Sequence, residues 1–327
     1  MSKLVTIAIP VYKSLNYLPN TLQAVEQQDY SQIEVIISDN GMNGPKIAEL
    51  VDQYYSKPYK LRQNPDSVDV ITHFNQLIDA ASGEYFLLLC DDDEISENYI
   101  SELANLLGQH PQASAAISKQ DVIDASNNII SSSIDNLPSL MSGGEFLKLW
   151  CLQKHGFKCF ITYLARTELI KKAGRYPNFP RGFHSDNALL AKLCLTQDIA
   201  FSRKCTFRWR KYGASNGDTS TVQDLTEATK QFLSSLESEP TYLEFAHLYP
   251  DKWRQFKQWL VQLAWSIYLK QLAQIPQGQV SMLQKLRSAF YMPHVPKYYA
   301  QRLDRFIKDF FPELYKIYQL ARHGGSK

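Results

Sequence analysis

Gly83-Glu84-Tyr85-Phe86-Leu87-Leu88-Leu89-Cys90-Asp91-Asp92-Asp93-Glu94 is the stretch that decides the fold. Tyr85 to Leu89 is short and wholly apolar, which predicts a strand covered on both faces, as in a parallel sheet between layers of helix. Ser82-Gly83 closes the preceding helical pattern, His73 to Ala81, in the manner of a C-cap. The strand runs straight into three aspartates. Consecutive side chains of an extended chain point to opposite sides, so three carboxylates reach one wet face only if the chain turns there. An acidic turn at the carboxyl end of a strand, on the side where open α/β sheets bind ligands, is a natural divalent-cation site. The same residues also suit a solvated turn capping the helix that starts near Ser96.

Upstream, apolar strands alternate with amphipathic helices. Val5 to Val11 reads as a buried strand, Tyr17 to Gln28 as a helix with Leu18, Leu22 and Val25 on one face, and Ile33 to Ile37 as a second strand ending at Ser38-Asp39-Asn40-Gly41. Residues 46–55 read as another helix. If the strands are parallel, Asp39 shares the sheet edge with the acidic turn, and Pro10 and Tyr12 line the same crevice. Two acidic strand ends facing one crevice suit a ribose or base on one side and a metal-bridged diphosphate on the other. Asp39 also fits an Asx-turn that only caps its own loop.

Downstream, Glu97 to Gln109 reads as a helix and Ala113 to Ser118 as a strand, followed by a loop rich in Ser, Asn and Gly from Ser126 to Gly144. Phe160 to Ala165 has strand character, Glu168 to Ala173 spans a turn or two of helix, and Asp186 to Leu195 is a helix with a polar start. After Phe207-Arg208-Trp209-Arg210 comes a second polar loop, Gly213 to Ser220, and long aromatic helices follow from Thr241.

The 327 residues, 44% apolar and 21% charged, suffice for one large domain or a domain with an appendage. Gly (14) and Pro (15) are too sparse for a disordered or collagen-like chain. Lys+Arg 35 against Asp+Glu 33 gives a net charge of +2, which carries no argument for a nucleic-acid partner. The balance is uneven, however: Thr241 to Lys327 holds 13 basic and 5 acidic residues, leaving 22 and 28 in residues 1–240. Cys90, Cys151, Cys159, Cys194 and Cys205 form no CxxC pair, which fits a reducing compartment. The start, Met1-Ser2-Lys3, lacks a signal-peptide pattern, and no apolar run approaches the roughly 18 residues of a membrane span. The expectation is a cytoplasmic protein that lies peripherally on the inner face of the membrane or stays free of it.

The ordered motifs Val5-Thr6-Ile7-Ala8-Ile9-Pro10-Val11-Tyr12, Glu34-Val35-Ile36-Ile37-Ser38-Asp39-Asn40-Gly41, and Gly83-Glu84-Tyr85 through Asp91-Asp92-Asp93 resemble the inverting family 2 glycosyltransferases of GT-A fold over roughly the first 220 residues. The resemblance implies an α/β, mostly parallel sheet flanked by helices. A GT-A domain would span 1–240, with a nucleotide-sugar half at 1–95 and an acceptor half at 96–240, and a helical, basic and aromatic region would span 241–327. It implies that Pro10, Tyr12 and Asp39 contact the nucleotide of a nucleoside-diphosphate sugar, and that the acidic strand end is the DxD element holding Mn²⁺ or Mg²⁺. Cys90 stands at the first place of the family's Asp-x-Asp-Asp. On that register Asp92 is the metal ligand and Asp91 faces the ribose or sugar; on a literal Asp-x-Asp reading the pair is Asp91 and Asp93. The expected metal residues are therefore Asp92 and Asp93.

The family's base sits in a Glu-Asp pair at a helix start, and here Gly182-Phe183-His184-Ser185-Asp186-Asn187 matches it, with Ser185 in place of Glu. Asp186 is the expected base; its structural alternative is an N-cap. Arg208, Arg210 and Lys211 resemble the Arg segment ahead of a flexible loop, with Arg210 expected on donor phosphates and Tyr212 where the family often has His. His73 and His184 read as helix-face or acceptor-site residues. Lys252, Arg254 and Lys257 flank Trp253, Phe256, Trp259, Leu260, Leu263 and Trp265, and the pattern recurs through Arg287, Tyr298, Arg302, Arg305 and Lys308. That region suits either an anionic membrane beside a lipid-linked acceptor or packing against the body or a second subunit in a homo-oligomer. The implied acceptor is a hydroxyl of a glycan or lipid-linked species in bacterial surface polysaccharide or glycolipid synthesis. The rival readings are a glycan-binding scaffold on a degenerate GT-A fold and a sugar nucleotidyltransferase. The second would need a Gly-rich loop after strand one, where the chain has Tyr12-Lys13-Ser14-Leu15-Asn16.

Overall fold

The computed structural model describes residues 2–133, 136–152, 156, 162–213, 221–275 and 284. Met1–Pro276 forms one compact unit, and Gln277–Lys327 clusters as a second. The expected tail residues Arg287, Tyr298, Arg302, Arg305 and Lys308, like Cys159 and most of the Gly213 to Ser220 loop, lie outside the described residues.

In chain order the first unit runs β1 (Val5–Val11), α1 (Leu18–Glu26), β2 (Ile33–Asp39), α2 (Pro45–Tyr54), β3 (Tyr59–Gln63), α3 (Val70–Ala80), β4 (Tyr85–Leu88), β5 (Glu94–Ile95) and α4 (Tyr99–Gln109). It continues with β6 (Ala113–Ile123), β7 (Ile129–Ser132), β8 (Leu140–Met141), α5 (Gly143–Cys151), β9 (Leu164–Arg166), α6 (Thr167–Lys172), a 3-10 turn (Pro180–Gly182) and α7 (Ser185–Thr196). The last elements are β10 (Asp198–Arg210), α8 (Val222–Ser238), α9 (Pro240–Leu248) and α10 (Pro250–Gln274).

The strands form one sheet in the order β3-β2-β1-β4-β9-β6-β10-β5, with β7 on β6 and β8 on β10. β1 pairs in parallel with β2 and β4, and β2 with β3, so these strands all present their carboxyl ends at one edge. Every residue of β1 and β4 is buried, as expected of strands covered on both faces. β9 enters antiparallel between β4 and β6 and joins this parallel half to the β6–β10 half.

Helix starts follow local chemistry. Asp69 caps α3 by accepting from the amides of Ile71 and Thr72 at 3.1 and 2.9 Å. Ser142 with Glu145, and Thr221 with Asp224, close capping boxes on α5 and α8.

Several expectations are corrected. The presumed surface loop Ser126 to Gly144 contains β7, β8 and the start of α5. Its strands escaped notice because β7 is a wholly exposed edge strand without an apolar face. β3 was missed for a similar reason, being half-buried or exposed along its length. β10 is a 13-residue strand, longer than its Phe207-Arg208-Trp209-Arg210 end suggested; a register shift between Ser202 and Thr206 breaks its alternation. The helical region begins at Val222 with α8, ahead of the expected residue 241. α10 packs on α5, α8 and α9 and buries Phe256, Leu260, Leu263 and Trp265. Those aromatics build a helical layer of the same compact unit.

Candidate active site at the carboxyl edge of the sheet

Tyr12 follows β1 and Asp91 follows β4, and the Tyr12 amide donates to Asp91 Oδ2 at 3.3 Å. Asp39, opposite Val11 across the β1–β2 ladder, ends β2 beside them. Its carboxylate accepts from the amides of Gly41 and Asn43 and from Asn43 Nδ2, each at 2.8 Å. Asn43 Nδ2 also donates to the Tyr12 carbonyl at 2.6 Å. Gly41 permits this closeness, because a Cβ there would sit 2.2 Å from that carbonyl oxygen. Tyr12, Asp39 and Asp91 thus share one hydrogen-bonded edge, with Asp39 making the Asx-type loop of its structural alternative. Pro10 is buried within β1, while the Tyr12 ring is 49% exposed.

The acidic turn is tied down from two sides. The Asp93 amide donates to the Cys90 carbonyl at 3.2 Å, and Thr21 Oγ1 of α1 donates to the Asp93 carbonyl at 2.8 Å. Cys90, Asp91 and Asp92 are half-buried, and Asp93 is buried with Oδ1 accepting from the Arg210 amide at 2.9 Å. Cys90 Sγ and carboxylate oxygens of Asp92 and Asp93 lie within 4.8 Å of one another. Burial, then the neighbouring Asp92 charge, pushes the Asp91 carboxyl up to about 8. Burial raises Asp92 as well, and burial with the Asp92 charge raises Asp93 well above its ordinary value. The two carboxylates of Asp92 and Asp93 are hard oxygen donors of the kind that Mn²⁺ and Mg²⁺ take, whereas the Cys90 thiol beside them is a softer donor that does not suit Mg²⁺.

Arg210 does not match its expected role on donor phosphates. Its side chain is fully buried and forms an ion pair with Glu94 at 2.5 Å. Nε donates to the Asp92 carbonyl at 2.8 Å, and one terminal nitrogen donates to the Asp124 carbonyl at 3.0 Å and to Asn127 Oδ1. The guanidinium also lies 4.4 Å from the Tyr17 ring centroid. A cation so committed braces the acidic turn from within. Arg208, with a half-exposed side chain, lies 3.6 Å from Glu94. Sequence reasoning missed a further neighbour: Tyr212 faces the Asp92 carboxylate, whose charge, after burial, holds its phenol pKa up, and its ring lies 5.0 Å from that of Tyr17. The substitution of Tyr for the family's His was the available signal.

Asp186 lies in the first turn of α7, and the N-cap place belongs to His184. Among the described residues, both hydrogen bonds to its carboxylate fall on Oδ1, from the Asn187 amide and Asn187 Nδ2 at 2.8 Å. Burial pushes this carboxyl up to about 6 against those bonds. The preceding turn packs on α3, because a Cβ on Gly182 would meet Ile71 Cδ1 at 3.1 Å. Ahead of α3, Asn40 and Val68 exchange hydrogen bonds at 2.8 and 2.9 Å. A continuous set of contacts therefore runs from the Asp186 turn to the residue after Asp39. His73 is buried with Nε2 2.9 Å from Ser38 Oγ, and His184 is buried against α8. Neither belongs to the metal-competent group.

This parallel sheet with an acidic turn at its carboxyl edge is a GT-A-type α/β architecture. The sequence profile of Glycosyl transferase family 2 matches residues 6–174, more than half of the chain, and the chain belongs to that family. Glycosyltransferase GlyG of Streptococcus pneumoniae serotype 4 is 28% identical over 105 residues, 32% of this chain and 35% of that protein. The uncharacterized glycosyltransferase RT0329 of Rickettsia typhi is 31% identical over 109 residues, 33% of each. The chain thus spans about a third of the length of the curated relatives it matches. Among solved structures, S. aureus TarS 1-349 in complex with UDP-GlcNAc matches with a TM-score of 0.67 at 14% identity, over 98% of this chain and 92% of that one. The S. aureus TarS structure matches at 0.60 and 13% identity, over 95% of this chain and 54% of that one.

Proposed function

We propose that this chain is an inverting glycosyltransferase that moves a sugar from a nucleoside-diphosphate sugar to a hydroxyl acceptor. The observation that carries this reading is the hydrogen-bonded cluster of Tyr12, Asp39 and Asp91 beside the metal-competent acidic turn. In this reading Asp39 orders the loop on the nucleoside side and the exposed Tyr12 ring offers the base a stacking face. Asp92 and Asp93 would hold Mn²⁺ or Mg²⁺, which when bound would neutralise charge on the departing diphosphate. Tyr212 lies beside the Asp92 carboxylate and Arg210 holds the turn. Asp186 takes the proton from the acceptor hydroxyl, a task suited to a carboxylate whose pKa is raised toward neutrality. Ser185, in place of the family's Glu, leaves proton transfer to Asp186 alone in this stretch.

UDP-GlcNAc is the first donor to test, because the similar TarS structure holds it. A hydroxyl of a bacterial surface polysaccharide or glycolipid is the proposed acceptor class, in keeping with the bacterial relatives. A thermal-shift screen of UDP, GDP, CMP and dTDP sugars with and without Mn²⁺ tests the reading, since ligands of the native state raise its apparent stability. We expect a Mn²⁺-dependent rise of several degrees for one nucleotide class. No rise with any donor would contradict the reading and favour a scaffold role.

A further inference from the structure

We propose that His184 is a positioning residue for the transfer reaction: it hooks the turn that carries Asp186 onto α8 and so sets where the base's carboxylate points. This inference rests on the reading of Asp186 as the base.

The turn is held in an uncommon conformation. Arg181, Gly182 and His184 have φ of 57°, 73° and 65°, so three of the four residues from 181 to 184 lie in the left-handed region. Such backbone in non-glycine residues persists only where the surroundings impose it, and it gathers at functional sites. α8 supplies the imposing contacts. His184 Nε2 lies 3.1 Å from Thr229 Oγ1, and Thr229 Oγ1 donates to the Leu225 carbonyl at 2.7 Å. The single hydroxyl proton is spent on Leu225, so Thr229 accepts from an Nε2–H. That fixes the tautomer, leaving Nδ1 bare; Nδ1 is buried without a partner among the described residues.

The imidazole stacks on Phe232 at 5.1 Å and 13°, and Phe232 meets Phe179, ahead of the 3-10 turn, edge-on at 6.1 Å. α8 thereby grips the segment at Phe179, ahead of its left-handed residues, and at His184, the last of them. The other end of the lever is the backbone: the His184 carbonyl accepts from the Ala188 amide at 2.8 Å, the first helical bond of α7, two residues from Asp186. Burial keeps the imidazole neutral, with its pKa pushed down to about 3, as a hook of fixed tautomer requires.

A merely structural hook would alter stability alone, whereas a positioning hook alters the base. Thr229→Val removes the acceptor at nearly constant volume, and His184→Gln sets an amide N–H near the place of the imidazole Nε2–H that meets Thr229. The ¹³C-carboxyl titration of Asp186 in the full chain is expected to move from about 6 toward the ordinary carboxylate range in Thr229→Val and to stay near its original value in His184→Gln. Mn²⁺-dependent UDP release from UDP-GlcNAc, with water as the acceptor of the sugar, should lose about tenfold or more in kcat in Thr229→Val with donor KM unchanged, and His184→Gln should restore most of it relative to His184→Leu. Imidazole ¹⁵N spectra should show the Nε2–H tautomer of His184. If Asp186→Asn abolishes UDP release while Thr229→Val and His184→Leu leave both kcat and the Asp186 titration unchanged, the positioning role is overturned and the base reading stands. If Asp186→Asn keeps the wild-type rate, both fall.

Discussion

At Asp186 a single environment sets both chemistry and stability. Its folded pKa, raised to about 6 by burial, lies above the ordinary carboxylate value of about 4. A base works deprotonated, so the transfer rate should fall as pH drops through about 6; a pH–rate profile flat down to pH about 4.5 would contradict this. The folded chain also binds this proton more tightly than the unfolded chain. Stability from this group is therefore greatest below the unfolded carboxylate value and declines as pH rises from about 4 to about 6. Asp186→Asn should accordingly melt at a higher temperature than wild type at neutral pH, by a few degrees in calorimetry, even as activity disappears. An unchanged or lower Tm would show that burial of the charge costs nothing. Arg210 poses the reverse case, a buried cation holding Glu94, the Asp92 and Asp124 carbonyls and Asn127. Arg210→Ala leaves those acceptors uncompensated, and denaturant unfolding should register a loss of about 3–5 kcal/mol. A loss below about 1 kcal/mol would contradict the bracing role.

Among the elements, those that set the site were legible where apolar periodicity was strong. β1 and β4 are continuous buried runs; Pro10 lies just inside the end of β1, Asp39 closes β2, and Asp91–Asp93 follow the end of β4. What was not legible depended on tertiary contacts. The commitment of Arg210 to carbonyls more than 80 residues away, and the hook of His184 onto α8, leave no periodic trace. β3 and β7 take strand form through pairing at exposed edges, with few apolar residues of their own. The start of α5 carried a Ser-x-x-Glu box, a readable signal that the surrounding Ser and Gly obscured. Gly143 itself is dictated by packing, since a Cβ there would sit 2.1 Å from the Cys194 carbonyl oxygen of α7. The α9–α10 corner bears on the membrane expectation. Leu243, Leu248 and Tyr249 are exposed beside exposed Lys252 and Arg254, and we propose this corner as the contact with anionic lipid. Cosedimentation with phosphatidylglycerol vesicles should fall in the Lys252→Glu/Arg254→Glu variant; equal binding to neutral phosphatidylcholine vesicles would contradict it.

For the whole molecule, the uneven charge takes on a structural meaning. The acidic body places Asp39 and Asp91–Asp93 at one sheet edge, whereas the aromatics of residues 250–274 are largely spent on packing α10 against α5, α8 and α9. No helix among the described residues is long and apolar enough to cross a membrane. In the proposed reaction this family 2 fold performs sugar transfer with Asp186 as its base. The most direct test of that role is the initial rate at which UDP-GlcNAc gives its sugar to water and releases UDP with Mn²⁺, compared between wild type and Asp186→Asn at equal UDP affinity. A loss of about a hundredfold or more is expected in Asp186→Asn. A rate within twofold of wild type would contradict it.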